Sequence, residues 1–312
     1  MKQYFLNYYP KFRCVADKCK HTCCAGWEMN IDKDTLDIYG KENSGFSSRL
    51  KLGVDFENSR FRTDEKGRCA FLNDLGLCEI IMNLGEGRLC QVCRDHPRFR
   101  SFFVDRTETG LGLSCEEVAR IVLSFEDKIQ PLLASDDGKS EQPDFIQKAV
   151  FDFRQKVISL VQDRNMPVND RINGLLKLCY ADFCEQNLTK ALKTFASLET
   201  LSDSWKKRLK SIKKPFDSTT DEKYSQYFEQ FLVNGFYRHL LDAEDTTWVR
   251  ARALGCLYSW WLIKSIIQEE EKGGRVTFDL VVDVVREYST EVEYSQENLD
   301  KLFNVCYKFI KL

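Results

Sequence analysis

The sequence predicts a mainly α protein in which a small cysteine-rich α+β N-terminal region precedes an all-helical C-terminal region. Three observations lead there. Nine of the thirteen cysteines fall within the first 115 of 312 residues. Glycines and short segments punctuate the same stretch, a composition of loops and brief strands. Past about residue 125 the apolar residues recur at helical spacing instead. The boundaries that follow are a cysteine-cluster metal-binding domain over 1–125 and a helical domain over 144–312. The connection runs through Ser135-Asp136-Asp137-Gly138-Lys139-Ser140-Glu141-Gln142-Pro143, which is loop chemistry.

Taken in order, residues 14–29 read as irregular loop wrapped on a site, 32–39 as a short helix and 58–62 as a short strand. Residues 68–72 and 77–80 read as arms of a hairpin about Asn73-Asp74-Leu75-Gly76, whose residue types suit a turn. That turn brings Cys69 and Cys78 close together. Ser114 reads as N-cap of a capping box with Glu117. The helix after it reaches about Phe125, with Val118, Ile121, Val122 and Phe125 on one face. Further helices are expected over 145–162, 168–200, 204–210, 222–241, 248–270, 277–288 and 296–311, the second with a break inside it. Asp144 and Asp203 sit near helix starts and Gly273-Gly274 supplies a stop. Cys179, Cys184, Cys256 and Cys306 lie in apolar helical patterns and read as small buried hydrophobes. No solenoid-length repeat or low-complexity segment is present.

A chain of this length buries a sizeable core without covalent staples, so the early thiols need another reason. Disulfides and metal ligation are the two common ones. The opening Met1 to Cys14 has no apolar run of signal-peptide length. No stretch reaches the roughly 18 apolar residues of a membrane span; the apolar segment 254–267 is short and interrupted by Lys264. The expected location is therefore cytoplasmic, where thiols stay reduced. Thirteen is also an odd number for complete pairing. Metal ligation is the reading that fits best, ahead of reduced unligated thiols and then of disulfides. A net charge of −2 and a pI near 6.1 give no electrostatic footprint for nucleic acid.

Thiolates are soft, charged ligands for zinc or iron–sulfur clusters. The candidates are Cys14, Cys19, Cys23, Cys24, Cys69, Cys78, Cys90, Cys93 and Cys115. Only Cys90-x2-Cys93 has the spacing of half a zinc knuckle, and the first group matches neither a zinc ribbon nor a ferredoxin. Spacing therefore argues for a metal without choosing it. His21 and His96 stand near cysteines, as further ligands or as exposed loop histidines. Arg88, Arg94, Arg98, Arg100 and Arg106 form a local basic excess. Such arginines hold a carboxylate or phosphate bidentately, neutralise a thiolate–metal site, or form a solvated face.

One set of motifs resembles a known family. Cys19-x3-Cys23-Cys24, Gly67-Arg68-Cys69-Ala70-Phe71-Leu72, Gly76-Leu77-Cys78 and Cys93-Arg94-Asp95-His96-Pro97 are similar to the bacterial zinc- or iron-chelating cysteine-cluster proteins. Tyr8-Tyr9-Pro10-Lys11-Phe12-Arg13-Cys14, Cys23-Cys24-Ala25-Gly26-Trp27, Leu113-Ser114-Cys115 and the long helical tail resemble one branch, the flagellin lysine N-methylases. The cysteine motifs cover about residues 8–120.

The resemblance implies methyl transfer from S-adenosylmethionine to lysines of flagellin as protein substrate. It also implies an iron–sulfur cofactor, 4Fe–4S, with zinc as the alternative. Cys19, Cys23, Cys24, Cys69, Cys78, Cys93 and Cys115 carry over as metal-site candidates; Cys14 and Cys90 join them on spacing alone. For the methyl donor, Gly110-Leu111-Gly112-Leu113-Ser114 precedes a helix, a short match to a glycine loop that a turn explains as well. Arg94, Arg98, Gly110 and Gly112 are the cofactor-binding candidates. The radical-type spacing C-x3-C-x2-C is absent, and a neutral amine needs no radical to attack a sulfonium methyl. Glu28, Glu79, Glu116 and many tyrosines compete as general base, and the sequence does not choose. Trp27 reads as a core tryptophan, with packing against the cofactor as its other role. Two rival readings remain: a non-catalytic, zinc-stabilised protein-interaction module, and a metal-handling protein.

Overall fold

Helix α11, Thr246–Glu271, has apolar residues on every side, and a helix of that kind must be buried all round. In the computed structural model it is the axis of the larger of two compact units, Met1–Phe12 with Phe99–Leu312. The smaller unit is Arg13–Arg98. The structure describes residues 1–139, 141–182, 184–212, 219–272 and 276–311; the expected stop at Gly273-Gly274 lies outside them.

In the larger unit, α6 (Phe145–Val161), α10 (Ser225–His239), α12 (Phe278–Tyr288) and α13 (Gln296–Tyr307) pack around α11. Their shared core includes Trp260, Trp261, Leu232 and Val285, each fully buried. The start of α6 has its predicted cap. Asp144 accepts from the Gln147 amide, and the Gln147 side chain returns the bond. The expected helix over 168–200 breaks into α7 (Val168–Leu178) and α8 (Glu185–Ser197), with Tyr180 at φ +54° between them. That break corrects one expectation. Cys179, Cys256 and Cys306 are buried, but Cys184 falls in the connection as the α8 N-cap and is exposed.

A four-stranded sheet, ordered β4-β5-β1-β6 with β4 at Arg98–Phe102, belongs mostly to this unit. Strand β1 (Lys2–Leu6) runs parallel to β5 (Arg106–Leu111), pairing Lys2 with Arg106 and Phe5 with Thr109. On its other side β1 is antiparallel to β6 (Pro131–Asp136). Both partners are missing from the sequence expectations, and β6 takes part of the predicted loop. The unit division likewise differs from a boundary at 125: the first strand, β5 and α5 (Glu116–Leu123) all group with the helices. The N-cap of α5 is Cys115, with no side-chain cap bond, so the expected capping box from Ser114 does not form. The helix starts one residue later than that motif requires.

Charges also tie sheet to helices. Arg154 of α6 and Glu108 of β5 are fully buried and form two hydrogen bonds of 2.6 and 2.8 Å. Tyr8 is buried as well, its hydroxyl accepting from Asn234 at 2.6 Å and from the Leu111 amide at 3.2 Å. No helix among the described residues is long and apolar enough to cross a membrane.

The smaller unit is built from α1 (Lys33–Lys41), α2 (Ser47–Gly53), α3 (Glu79–Leu84) and α4 (Gln91–Asp95), with a two-stranded sheet of β2 (Val54–Asp55) and β3 (Arg60–Phe61). Its core is small and includes Tyr39, Leu50, Phe61, Phe71, Cys69 and Cys90. The Asn73–Gly76 turn forms as expected, with the Leu75 and Leu77 amides both donating to the Asn73 side chain at 2.9 Å. The hairpin arms do not extend from it. Leu72 and Cys78 make one isolated bridge and the chain turns at once into α3. Ile80 reaches the core from a helix rather than from a strand.

Candidate metal centre and adjoining cavity

Three local structures of the smaller unit bring its thiols together. In the first, residues 24–26 lie against 67–69. The Cys69 amide donates to the Cys24 carbonyl at 2.8 Å and the Gly26 amide to the Gly67 carbonyl at 3.1 Å. Ala25 therefore faces Arg68, Cys24 faces Cys69, and Gly26 faces Gly67. The two glycines have φ of +87° and +71°, a region a side chain enters only with strain. The second is the Asn73 turn, which delivers Cys78 to the start of α3. The third is the start of α4, where Cys90 is N-cap and Cys93 lies one turn on.

Asp32 positions this third element. Its carboxylate caps α1 by accepting from the Thr35 amide at 3.0 Å and also accepts from the Gln91 amide at 2.7 Å. One side chain thus serves the first turn of two helices. Burial works against the charged form, but these amide bonds outweigh it and hold the Asp32 pKa below its ordinary value. On the opposite flank, the Tyr39 hydroxyl donates to the Arg88 carbonyl at 2.6 Å, just before Cys90.

Cys24, Cys69, Cys78, Cys90 and Cys93 come within electrostatic reach of one another. The expected proximity of Cys69 and Cys78 is part of this convergence. None of the thirteen cysteines, all within the described residues, is in a disulfide. Cys24 is hydrogen-bonded to Cys23, which pulls its pKa down to about 7. Burial pushes Cys69 up to about 12 and also raises Cys78. The hydrogen bond from Cys93 favours the Cys90 thiolate, and the same bond, with burial, holds Cys93 protonated. Thiolates within electrostatic reach of one another disfavour each other's ionisation, whereas a bound cation reverses the sign of that argument and deprotonates its thiols.

The donor chemistry suits a thiophilic ion or cluster, while Cys23 with Cys24 and Cys90 with Cys93 are hydrogen-bonded in pairs and Cys69 and Cys78 accept from backbone amides. Among the described residues, no three or more His, Cys, Asp or Glu side chains are arranged about a common ion position. Of the nine predicted ligands, five converge and Cys23 sits on Cys24. Cys14 is exposed and Cys19 ends a short 3-10 turn, Ala16–Lys18. Cys115 belongs to the larger unit. His21 is exposed.

Beside the Cys24–Cys69 pairing is an open cavity of about 430 Å³, with Gly26 and Gly67 in its lining. Trp27 lines it too. It was expected in the core, yet it is 36% exposed, because its indole N–H donates to the Cys23 carbonyl at 2.8 Å within the loop. Its ring centroid lies 6.4 Å from that of His96. Arg60 spans two carboxylates of the lining, Glu28 at 2.6 Å and Asp55 at 3.5 Å. Arg62 completes the charged rim.

The predicted cofactor residues divide between the two units, Arg94 and Arg98 in the smaller and Gly110 and Gly112 in the larger. Arg94 is exposed in the last turn of α4, and Arg98 donates to its carbonyl at 2.9 Å. Gly110 lies inside β5, where an added Cβ would come within 2.3 Å of the Phe99 ring, so close packing accounts for that glycine. Gly112 lies between β5 and α5. Arg106 is bound to Asp105 at 2.8 Å and sits over the Tyr4 and Phe151 rings. Sequence reasoning passed over Arg60, Arg62 and Asp55. Their signal was the period-two pattern Arg60-Phe61-Arg62, with an apolar residue turned inward between two arginines.

The class so defined is a mainly helical protein carrying a cysteine-cluster unit with an open polar cavity. Residues 112–310 match the family model described as the FliB lysine N-methylase C-terminal domain, and this chain belongs to that family. It is 23% identical over 190 residues to the lysine-N-methylase of Salmonella typhimurium (strain LT2), covering 54% of this chain and 44% of that protein. It is 24% identical over 189 residues to the lysine-N-methylase of Salmonella choleraesuis (strain SC-B67), with 53% and 44% covered. A third relative, the flagellar biosynthetic protein FliU of Salmonella muenchen, is 25% identical over 134 residues, with 37% and 73% covered. The match thus spans less than half the length of the two lysine-N-methylases. No solved structure matches the chain. The family span includes Cys115 and none of the cysteines of the smaller unit.

Proposed function

We propose that this chain is a protein-lysine N-methyltransferase, acting on flagellin with S-adenosylmethionine as methyl donor and a thiolate-held metal cluster in the smaller unit. The observation that carries the reading is the family match over 112–310. The names of the relatives, lysine-N-methylase and flagellar biosynthetic protein, support lysine methylation as the reaction and a flagellar protein as the substrate. The convergence of Cys24, Cys69, Cys78, Cys90 and Cys93 supports a thiolate-held metal, which either iron–sulfur or zinc satisfies with four of them, and the resemblance of the cysteine motifs puts iron–sulfur ahead.

The donor supplies an electrophilic methyl group on a sulfonium sulfur. A lysine amine attacks only when neutral, and its ordinary pKa is about 10.4. Its lone pair forms the N–C bond as the C–S bond breaks and leaves its electrons on sulfur; the amine proton passes to solvent or a base. The protein's task is to desolvate and orient the amine.

The test is incubation of anaerobically purified protein with flagellin and S-adenosylmethionine, followed by peptide mass analysis. Methyl increments on lysine, with iron and matching acid-labile sulfide in the protein, are expected. No methylation would sink the enzymatic reading. Stoichiometric zinc without sulfide would remove the iron–sulfur cofactor and favour a second reading, a zinc-stabilised interaction module, for which the Cys90-x2-Cys93 half-site at the start of α4 speaks.

A further inference from the structure

The cavity beside Gly26 and Gly67 carries its own chemistry. Phe61 is buried at the base of the cavity lining, with Arg60 beside it in the two-residue strand Arg60–Phe61 and Arg62 directly after that strand. Both line the cavity. Arg60 is already shared between Glu28 and Asp55. The exposed Arg62 guanidinium makes no contact salt bridge among the described residues, acts on the Asp55 carboxylate only at longer range, and lies on the rim. Two arginines and two carboxylates leave the lining without net charge. That balance disfavours a phosphate or nucleotide anion, which needs an excess of donors, and favours a zwitterion.

Two further features narrow the ligand. The Trp27 ring is held by its N–H bond to Cys23 and exposed at the cavity, the arrangement in which an aromatic face attracts a cation without a counter-ion. An added Cβ at Gly26 would meet no protein atom within 4 Å, so that wall opens on space a ligand can fill. The volume of about 430 Å³ falls in the range of small-molecule sites.

We propose that this cavity binds the methyl donor: a sulfonium amino acid, with its α-carboxylate on Arg62, its α-ammonium at Glu28 and its sulfonium against Trp27. The identity of the ligand as S-adenosylmethionine rests on the methyltransferase reading. The Cys24–Cys69 pairing shares its backbone with the glycine wall, so the donor lies next to the thiol centre.

The test is calorimetric titration of the full chain, purified without oxygen, with S-adenosylmethionine and with S-adenosylhomocysteine, which keeps the zwitterion and lacks the sulfonium charge. Arg62→Leu should weaken both ligands roughly tenfold or more, and Arg62→Lys should restore part of the loss. Trp27→Leu should weaken S-adenosylmethionine more than S-adenosylhomocysteine. An unchanged unfolding midpoint shows that each variant is folded; a shifted midpoint for Trp27→Leu leaves the exposed Arg62 pair to decide. Wild-type affinities in a folded Arg62→Leu overturn the proposal. So does an effect confined to the KM for flagellin, which assigns the cavity to the acceptor lysine. The two readings fail separately: donor binding that depends on Arg62 without methyl transfer upholds the cavity and removes the enzyme, while methyl transfer with Arg62-independent binding does the reverse.

Discussion

Asp32 shows how one residue sets the thiol geometry. It holds the first turn of α1 through Thr35 and the first turn of α4 through Gln91, and α4 carries Cys90 and Cys93. Asp32→Ala removes both acceptors and leaves two helix-start amides without their partner. We expect a loss of about 1–2 kcal/mol, read as a lower urea midpoint, and, for protein carrying the proposed thiolate-held metal, faster loss of that metal to a chelator. Asp32→Asn keeps the cap to α1 and should lie between. Equal metal retention in wild type and Asp32→Ala would mean that α4 is positioned by Tyr39 and the carbonyl of Arg88 instead. The same scale explains Gly53, at which a Cβ would come within 2.5 Å of Phe71. Nothing in its sequence neighbourhood announces that contact.

At the scale of elements, the pair Arg154–Glu108 joins α6 to β5 from positions with no solvent. Arg154 also stacks against Phe151 and Tyr237, 5.0 and 4.8 Å from the ring centroids. Removing one partner leaves an uncompensated buried charge, which costs on the order of 3–5 kcal/mol. Arg154→Leu should therefore lower the unfolding midpoint sharply, and adding Glu108→Leu should recover much of the loss. A double variant as unstable as the single one would show that ring stacking by Arg154, rather than charge, supplies the stability. Helix α12 passes into a π-helical stretch, Ser289–Glu293, that turns Glu291 and Glu293 inward. Each acid has a partner: Glu291 accepts from the Leu201 and Ser202 amides, and Glu293 pairs with Arg238 and His239.

At the scale of the whole chain, that last pair gives the larger unit an acid sensitivity. Burial depresses the His239 pKa below its ordinary 6.5 and outweighs the Glu293 contact, so the imidazole is neutral when folded. For Glu293, burial acts to raise the pKa, but Arg238, His239 and Ser289 bring it down to about 2 from 4.5. Both folded values lie below the unfolded ones. The stabilisation from His239 is thus complete above pH 6.5 and lost as pH falls through its folded value. That from Glu293 is complete above 4.5 and lost towards about 2. Urea midpoints should decline in two stages as the solution is acidified, and His239→Gln should flatten the first. A midpoint already declining with acid above pH 7 would place the sensitive group elsewhere.

Much of the architecture was readable residue by residue. The apolar run expected as a helix over 248–270, the Asp144 cap and the Asn73–Gly76 turn act through neighbours a few positions away, and the structure keeps all three. The turn alone was enough to bring Cys69 to Cys78. Other features depend on partners that local pattern does not name. Strand β1 exists because residues 106–109 and 131–136 accept it from more than 100 positions away. Trp27 is drawn out of the core by one carbonyl in its own loop, and Arg62 meets the cavity only because residues 24–26 lie against 67–69. The sequence by itself determined the helical tail, the concentration of thiols and the resemblance to a methylase family, since spacing and composition carry that information. Only the tertiary structure decided which thiols converge, that Cys115 belongs to the other unit and that a charge-balanced cavity opens beside the cysteines, because each of these depends on chain segments far apart in sequence coming into contact.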